Sequence, residues 1–204
     1  MHRTIRMCLL VALALAMVPS TSSGATKADA LRAGMRKLWE DHITWTRLFI
    51  VSAVADLPDK GATTERLLQN QVDIGNAIKP FYGDAAGSKL SALLKDHILI
   101  AADIVTAAKA GQAAQVDSSK ARWVANADEI AAFLSGANPR QWPAAEMKTM
   151  MREHLDFTTA ELMARLNRDW AGDVAAYEKV HAQILKMADM LADGIARQHP
   201  GKLG

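Results

Sequence analysis

Cysteine is almost missing from this sequence, whose 204 residues include a single one, Cys8. It lies at the start of the apolar run of the N-terminal segment, whereas the cysteine of a lipoprotein follows such a run, so lipidation is not expected. The absence of thiols after Cys8 excludes disulfide bridges, cysteine zinc sites, thiolate catalysis and thioether-linked haem from the rest of the chain. Stability therefore has to come from packing.

An excess of charge of one sign is also missing. The chain has 24 basic and 22 acidic residues, for a formal net charge of +2, and it has no run of basic residues. This balance argues against nucleic acid or an anionic membrane surface as the main partner. After the first 25 residues no segment is apolar for long enough to cross a bilayer, so no membrane span is expected in the mature chain.

The first 25 residues have the pattern of a secretory signal peptide. Arg3 and Arg6 provide a positive start, an apolar run too short for a membrane span follows from residue 7 to 18, and small residues precede a cleavage site after Ala25. The sequence therefore predicts export, with a periplasmic or extracellular location after cleavage near Ala25.

The chain from residue 27 onwards carries the apolar periodicity of amphipathic helices, and no stretch alternates as a strand would. Turn-like stretches interrupt it five times, which predicts six helices near residues 27–55, 63–79, 85–110, 117–135, 143–166 and 170–198. Short links make successive helices antiparallel. The predicted fold is all-α, an up-and-down antiparallel helical bundle of about six helices arranged as three hairpins, in a single domain over residues 26–204.

Three stretches resemble a group of small bacterial helical-bundle proteins with no established activity. They are LWEDHITWTR at residues 38–47, NAIKPFYG at 76–83 and NADEIAAFL at 126–134. The resemblance would cover most of the mature chain. It implies the helical fold, and it carries over no substrate and no functional residue.

A short pattern recurs in the first helix of each predicted hairpin. The stretches DHITWT (41–46), DHILIA (96–101) and EHLDFT (153–158) each place a histidine directly after a carboxylate. The apolar spacing puts His42, His97 and His154 within or beside the core-facing seams of their helices, and His181 falls in line with such a seam in the sixth helix. Each histidine lies near the middle of its helix, so an antiparallel bundle would hold all four at a similar height.

Buried imidazoles need hydrogen-bond partners or a metal. The sequence therefore predicts a transition-metal site formed by two to four of these histidines, with Glu178 or Glu161 as additional oxygen ligands. Imidazole suits zinc, copper, nickel and iron equally, and haem b between facing histidines is a weaker candidate because no residue specifically signals it.

Residues near the histidines are candidates for orienting them. Thr46 and Thr158 lie four positions after His42 and His154, on the same helix face, where a hydroxyl could fix a ring tautomer. Tyr177 lies four positions before His181. The acids Asp41, Asp96 and Glu153 point about 100° away from the histidines that follow them, so each would face water or orient a histidine of another hairpin.

The sequence favours binding of a metal ion or metallocofactor over turnover, because it shows no phosphate loop, nucleophile elbow or dinucleotide fingerprint. Two alternatives stay open. In the first, the histidines satisfy one another and the protein is a structural or protein-interaction module of the cell envelope, with an unknown protein partner. In the second, it carries a small organic ligand, which would require an apolar cavity beside the histidines.

Overall fold

The computed structural model of the protein describes residues 26–203. This part of the chain contains no strand and seven helices: α1 (Lys27–Val54), α2 (Lys60–Tyr82), α3 (Asp84–Lys109), α4 (Ala113–Ala137), α5 (Ala144–Leu166), α6 (Trp170–Gln198) and the short α7 (Pro200–Leu203). The predicted all-α bundle is confirmed. The predicted signal peptide, residues 1–25, lies outside the described residues.

The six long helices form a closed ring. Each packs against the next one along the chain, α6 packs against α1 to close the ring, and α1 also contacts α3 and α5. The predicted hairpins are therefore α1–α2, α3–α4 and α5–α6. Because α1, α3 and α5 are the first helices of these hairpins, residues repeated in them meet near the centre of the bundle.

The helix boundaries differ most from the sequence-based prediction in α2 and α4, and α2 begins at Lys60, three residues before its predicted start. Helix α2 continues through Pro80 to Tyr82 instead of ending at residue 79, because a proline in the last turn removes only one backbone hydrogen bond. The helix ends at Gly83, whose φ of 85° is a conformation that glycine adopts readily. Helix α4 begins at Ala113, four residues before the predicted start, because Gly111 at φ 68° completes the turn earlier.

Side-chain caps fix the beginnings of two long helices. Thr26 and Asp29 form a reciprocal capping box at the start of α1, and Asp169 accepts a hydrogen bond from the backbone N–H of Gly172 at the start of α6. These contacts satisfy N–H groups that have no partner within the helix.

The interior is a continuous apolar core to which all six long helices contribute. Its most completely buried members include Ile74, Ile130, Met147, Ile184 and Ala188, each 0 % exposed. No helix between residues 26 and 203 is long and apolar enough to cross a membrane.

Glycines lie where α2 and α3, which are joined by Gly83 alone, approach each other closely. A Cβ atom added at Gly75 would lie 2.4 Å from the carbonyl oxygen of Gly87 and 2.0 Å from Oγ of Ser91. Carbon and oxygen atoms cannot approach so closely, so the absence of a side chain at residue 75 is what lets these helices touch.

We therefore expect Gly75→Ala to lower the free energy of unfolding by about 1–3 kcal/mol, because α2 and α3 would have to move apart. Gly34→Ala is the matched control: Gly34 is an exposed residue of α1 with no atom near its added Cβ, and the change should stabilise the protein by up to about 1 kcal/mol. Urea unfolding of both variants measures the effects. Equal stabilisation by both changes would contradict the close contact.

Candidate functional site

The structure brings three of the four predicted histidines together. His42 on α1, His97 on α3 and His154 on α5 are 3 %, 2 % and 5 % exposed. The centre of the His154 ring lies 5.7 Å from that of His42 and 6.3 Å from that of His97. We call these three residues the histidine cluster.

Each ring of the cluster is held by a side-chain amide from the second helix of its own hairpin. The Nδ1 atom lies 3.2 Å from Oε1 of Gln71 for His42, 2.8 Å from Oδ1 of Asn126 for His97 and 3.3 Å from Oε1 of Gln183 for His154. In all three hairpins the amide follows its histidine by 29 residues. The hairpins therefore repeat a contact as well as a sequence pattern.

The orientation of the amides determines which ring nitrogen carries the proton. The amide nitrogen of Asn126 donates to the backbone carbonyl of Leu93, and that of Gln183 donates to Met150. These carbonyls belong to the residues four positions before His97 and His154, and a carbonyl can only accept. The amide oxygen thus faces the ring, so Nδ1 must be the protonated donor and Nε2 carries the lone pair.

The first hairpin achieves the same result with two amides. The Nδ2 atom of Asn70 donates to the backbone carbonyl of Leu38, and the neighbouring Gln71 accepts from His42. The Nε2 atom of Gln71 donates to Asn70 Oδ1 and to the Leu67 carbonyl, which fixes its oxygen towards the ring. His42 is therefore also protonated at Nδ1.

Burial keeps the three imidazoles neutral at pH 7. Desolvation is the main cause that lowers the pKa of His97 to about 3 and that of His154 to about 4, and it holds the pKa of His42 well below its usual value of 6.5. The neighbouring histidines lower the pKa of His42 and His97 further. The cluster is consequently a set of three neutral bases.

The predicted role of the threonines is not what the structure shows. Thr46 Oγ1 donates to the backbone carbonyl of His42, and Thr158 Oγ1 donates to that of His154, each at 2.8 Å. The hydroxyls bond to their own helix because the carbonyl four residues earlier is within reach of a threonine side chain. The amides, and not the threonines, fix the ring tautomers.

The acids that precede the cluster histidines lie away from the rings. Asp96 and Glu153 are exposed, and Asp41 is half-buried and pairs with Lys37 at 2.5 Å. Of the two orientations left open by the sequence, the one facing solvent applies to Asp96 and Glu153. No contact joins Asp41, Asp96 or Glu153 to a cluster ring.

His181 does not join the cluster, contrary to its predicted place in the core seam. It is half-buried on the flank of α6, where its Nε2 lies 2.8 Å from Oε1 of Glu40 and its ring stacks on Tyr177 at 6.2 Å. The core-facing position of α6 is occupied instead by Gln183. Side chains two positions apart on a helix are rotated by about 200°, so His181 points away from the core where Gln183 points towards it. Glu178 is exposed and likewise lies outside the cluster.

Glu161 is buried but belongs to an ion network rather than to the histidines. Its Oε1 accepts a hydrogen bond from Arg47 at 2.8 Å, and Arg47 also binds both carboxylate oxygens of Asp173, which Arg165 contacts as well. Burial raises the pKa of Glu161 to about 7, although Arg47 acts in the opposite direction. Since Glu161 follows His154 by two helical turns, about 10 Å along the axis, it is too far to share a ligand.

Two buried tryptophans flank the cluster. The ring of Trp39 lies 5.7 Å from that of His42, and the ring of Trp123 lies 5.1 Å from that of His97. Both indole N–H groups are buried and have no hydrogen-bond acceptor among residues 26–203. Trp170, in contrast, is 54 % exposed and lies under Arg165.

The cluster does not have the geometry of a finished metal site. Within residues 26–203, no three or more His, Asp or Glu side chains are placed to hold a metal ion together. Three imidazoles on one tetrahedral zinc would have ring centres roughly 5 Å apart, given Zn–N bonds of about 2 Å. The observed separations of 5.7 and 6.3 Å exceed this only slightly.

Comparisons with protein-family models, with curated proteins and with solved structures find no match.

The amide partners were missed by the sequence-based prediction, although a signal for them was present. Gln71, Asn126 and Gln183 are separated by 55 and 57 residues, which is the spacing of His42, His97 and His154. A search for polar residues that repeat with the hairpin would have found them.

Stability should depend on pH through these histidines. Between pH 6.5 and about 4 the unfolded chain binds protons at the histidines and the folded protein does not, so the unfolding free energy falls as pH falls through this range. We expect His97→Gln to reduce the slope of the unfolding free energy against pH, by up to the amount that corresponds to about one bound proton. Urea unfolding between pH 7.5 and 4 measures this slope. Near pH 7.5, where the histidines of the unfolded chain are also neutral, the free energies of unfolding of the two proteins should differ by an amount that does not change with pH. Parallel curves throughout would contradict a neutral, buried His97.

Proposed function

We propose that the protein binds a transition-metal ion through the Nε2 atoms of His42, His97 and His154. The observation that carries this proposal is the same Nδ1–amide contact in three hairpins. A histidine that ligates a metal commonly donates its other ring N–H to an oxygen, which fixes the tautomer and raises the basicity of the ligating nitrogen.

The three unprotonated ring nitrogens are available to a metal ion. With every Nδ1 protonated, none of the rings can donate a hydrogen bond from Nε2 to its neighbour, and no hydrogen bond joins two rings of the cluster. A neutral imidazole binds a transition-metal ion through its unprotonated nitrogen. A metal cation would accept electron density from all three.

Binding would require movement of the rings, because both observed ring separations exceed that of a three-histidine zinc site. The Nδ1–oxygen distances of His42 and His154, 3.2 and 3.3 Å, are longer than the 2.8 Å of His97. These longer contacts restrain their rings less than the contact of His97 does. Three imidazole ligands suit zinc, copper, nickel or iron, and leave a fourth position of a tetrahedral site open.

The proposal is for binding rather than for turnover, because the nearest buried carboxylate, Glu161, is engaged with Arg47. Since the sequence also predicts a signal peptide, we propose that the protein acts outside the cytoplasm after export.

One observation favours a second candidate, a structural or interaction module without a metal. The cluster lacks finished ligand geometry, and the amides already satisfy Nδ1 of each ring. In that case the histidine–amide pairs would serve only to fix the register of each hairpin.

The test is metal uptake by mature protein purified without chelators or a histidine tag. We expect about one zinc, copper, nickel or iron ion per chain by mass spectrometry, and a rise in melting temperature when that ion is added to the metal-free protein. His97→Ala should abolish both, because it removes one of three ligands. His181→Ala is the matched control, since it removes an imidazole of α6 that lies outside the cluster, and it should leave both unchanged.

Far-UV circular dichroism establishes whether His97→Ala is folded. If it is not, the visible absorption of the Co²⁺ complex of the unmodified protein provides the decisive reading, because its bands report nitrogen ligation and tetrahedral geometry. A metal-free protein that takes up none of these ions would overturn the proposal in favour of the structural candidate.

A further inference from the structure

A small internal cavity adjoins the histidine cluster. Its volume is about 20 Å³, and its walls come from five of the six long helices. Thr46, Ala101 and Thr158 line it, and each lies four residues after a cluster histidine. Four residues correspond to one helical turn, so this space, which we call the inner cavity, lies one turn from the rings.

The chemistry of the walls restricts what can bind. No charged side chain lines the inner cavity, and most of its walls are apolar, including Phe49 and Leu162. The hydroxyls of Thr46 and Thr158 already donate to backbone carbonyls of their own helices. An ion would lose its hydration here without compensation, so the cavity suits only an uncharged molecule.

The size of the cavity sets a second limit. Roughly 10–15 Å³ is enough for one water molecule, so about 20 Å³ holds one molecule of two or three heavy atoms. Larger organic ligands are excluded without rearrangement of the core.

One aromatic ring connects the inner cavity with the histidine cluster. Trp123 is 5 % exposed and lines the inner cavity. The same ring lies 5.1 Å from that of His97. The cavity and the cluster therefore have a wall in common.

We propose that the inner cavity binds a small, uncharged and apolar molecule of the class of dioxygen. The role of such a molecule rests on the proposed metal site, because a molecule held one turn from the rings could approach an open metal position. Binding to the cavity can be tested without a metal, since the cavity is formed by the protein alone.

The experiment uses metal-free protein under dioxygen pressure, with the same pressure of nitrogen as the reference. Dioxygen is paramagnetic, so it shortens the relaxation times of methyl protons that it approaches. We expect the methyl groups of Ile50, Ile98 and Ile104, which line the cavity, to relax several-fold faster than those of Ile130 and Ile184, which are equally or more deeply buried elsewhere. The indole proton of Trp123 should show the same enhancement.

A matched pair of variants tests the location. Ala101→Leu should fill the inner cavity and remove most of the enhancement, whereas Ala102→Leu changes a half-buried neighbour that does not line the cavity and should preserve it. If Ala101→Leu does not fold, the smaller Ala101→Val should reduce the enhancement in part. Equal relaxation at all five isoleucines, or an enhancement that both Ala101 variants leave unchanged, would overturn the inference.

The two proposals can fail separately. Protein that takes up metal but shows no selective relaxation retains the metal site and loses the inner cavity as a binding site. Selective relaxation in a protein that takes up no metal preserves the cavity and removes the metal proposal.

Discussion

The rest of the structure depends on one interaction, the hydrogen bond between a buried histidine and a buried side-chain amide. A buried imidazole or amide alone would lose hydration worth a few kcal/mol, so each of the two groups requires the other. In the second and third hairpins the same amide also bonds to the backbone one turn before its histidine, as Asn126 does to Leu93, and in the first hairpin the neighbouring Asn70 makes this bond. Each pair therefore fixes the height and rotation of the two helices in its hairpin.

Three such pairs meeting at one level have a consequence that a single pair does not. Every ring leaves the same nitrogen, Nε2, unprotonated, so the cluster contains three bases and no acid. The rings do not become protonated at pH 7, because burial lowers the pKa of His97 to about 3 and that of His154 to about 4. A group that accepts lone pairs would bind to all three bases, and for this reason a metal ion is the proposed ligand.

The three hairpins are not identical. One difference lies at the end of the bundle where the loops of the three hairpins are found. Between the first and third hairpins, Arg47 links the buried carboxylates Glu161 and Asp173. Neither α3 nor α4 contributes to this network. Charges so deeply buried are stable only when they are fully paired, so the network fastens α1 to α5 and α6 on one side of the ring.

The apolar periodicity of the sequence was sufficient to predict the helices and three of the interior histidines. His42, His97 and His154 were found because the residues around them keep a regular core spacing. His181 was misplaced because α6 has apolar residues on two adjacent faces, and one of them, that of Val174, is exposed: Val174 is 53 % exposed. The choice between the two faces depends on the packing of α6 against α1, which a single helix does not encode.

The amides illustrate a different limit. Gln71, Asn126 and Gln183 are polar, and a search for apolar seams treats such residues as surface positions. Their burial is favourable only because a histidine of the neighbouring helix meets them, and that pairing is a property of the hairpin. The inner cavity was equally beyond prediction, since it is formed by residues from five helices.

The central claim is that the three cluster histidines are neutral and carry their protons on Nδ1. Nitrogen-15 NMR of the imidazole rings measures this directly, because protonated and unprotonated ring nitrogens resonate far apart. We expect the spectrum of metal-free protein to show unprotonated Nε2 atoms for His42, His97 and His154 at pH 7, with no titration down to pH 5. A cluster histidine that carries its proton on Nε2, or that titrates near pH 6.5, would contradict the account.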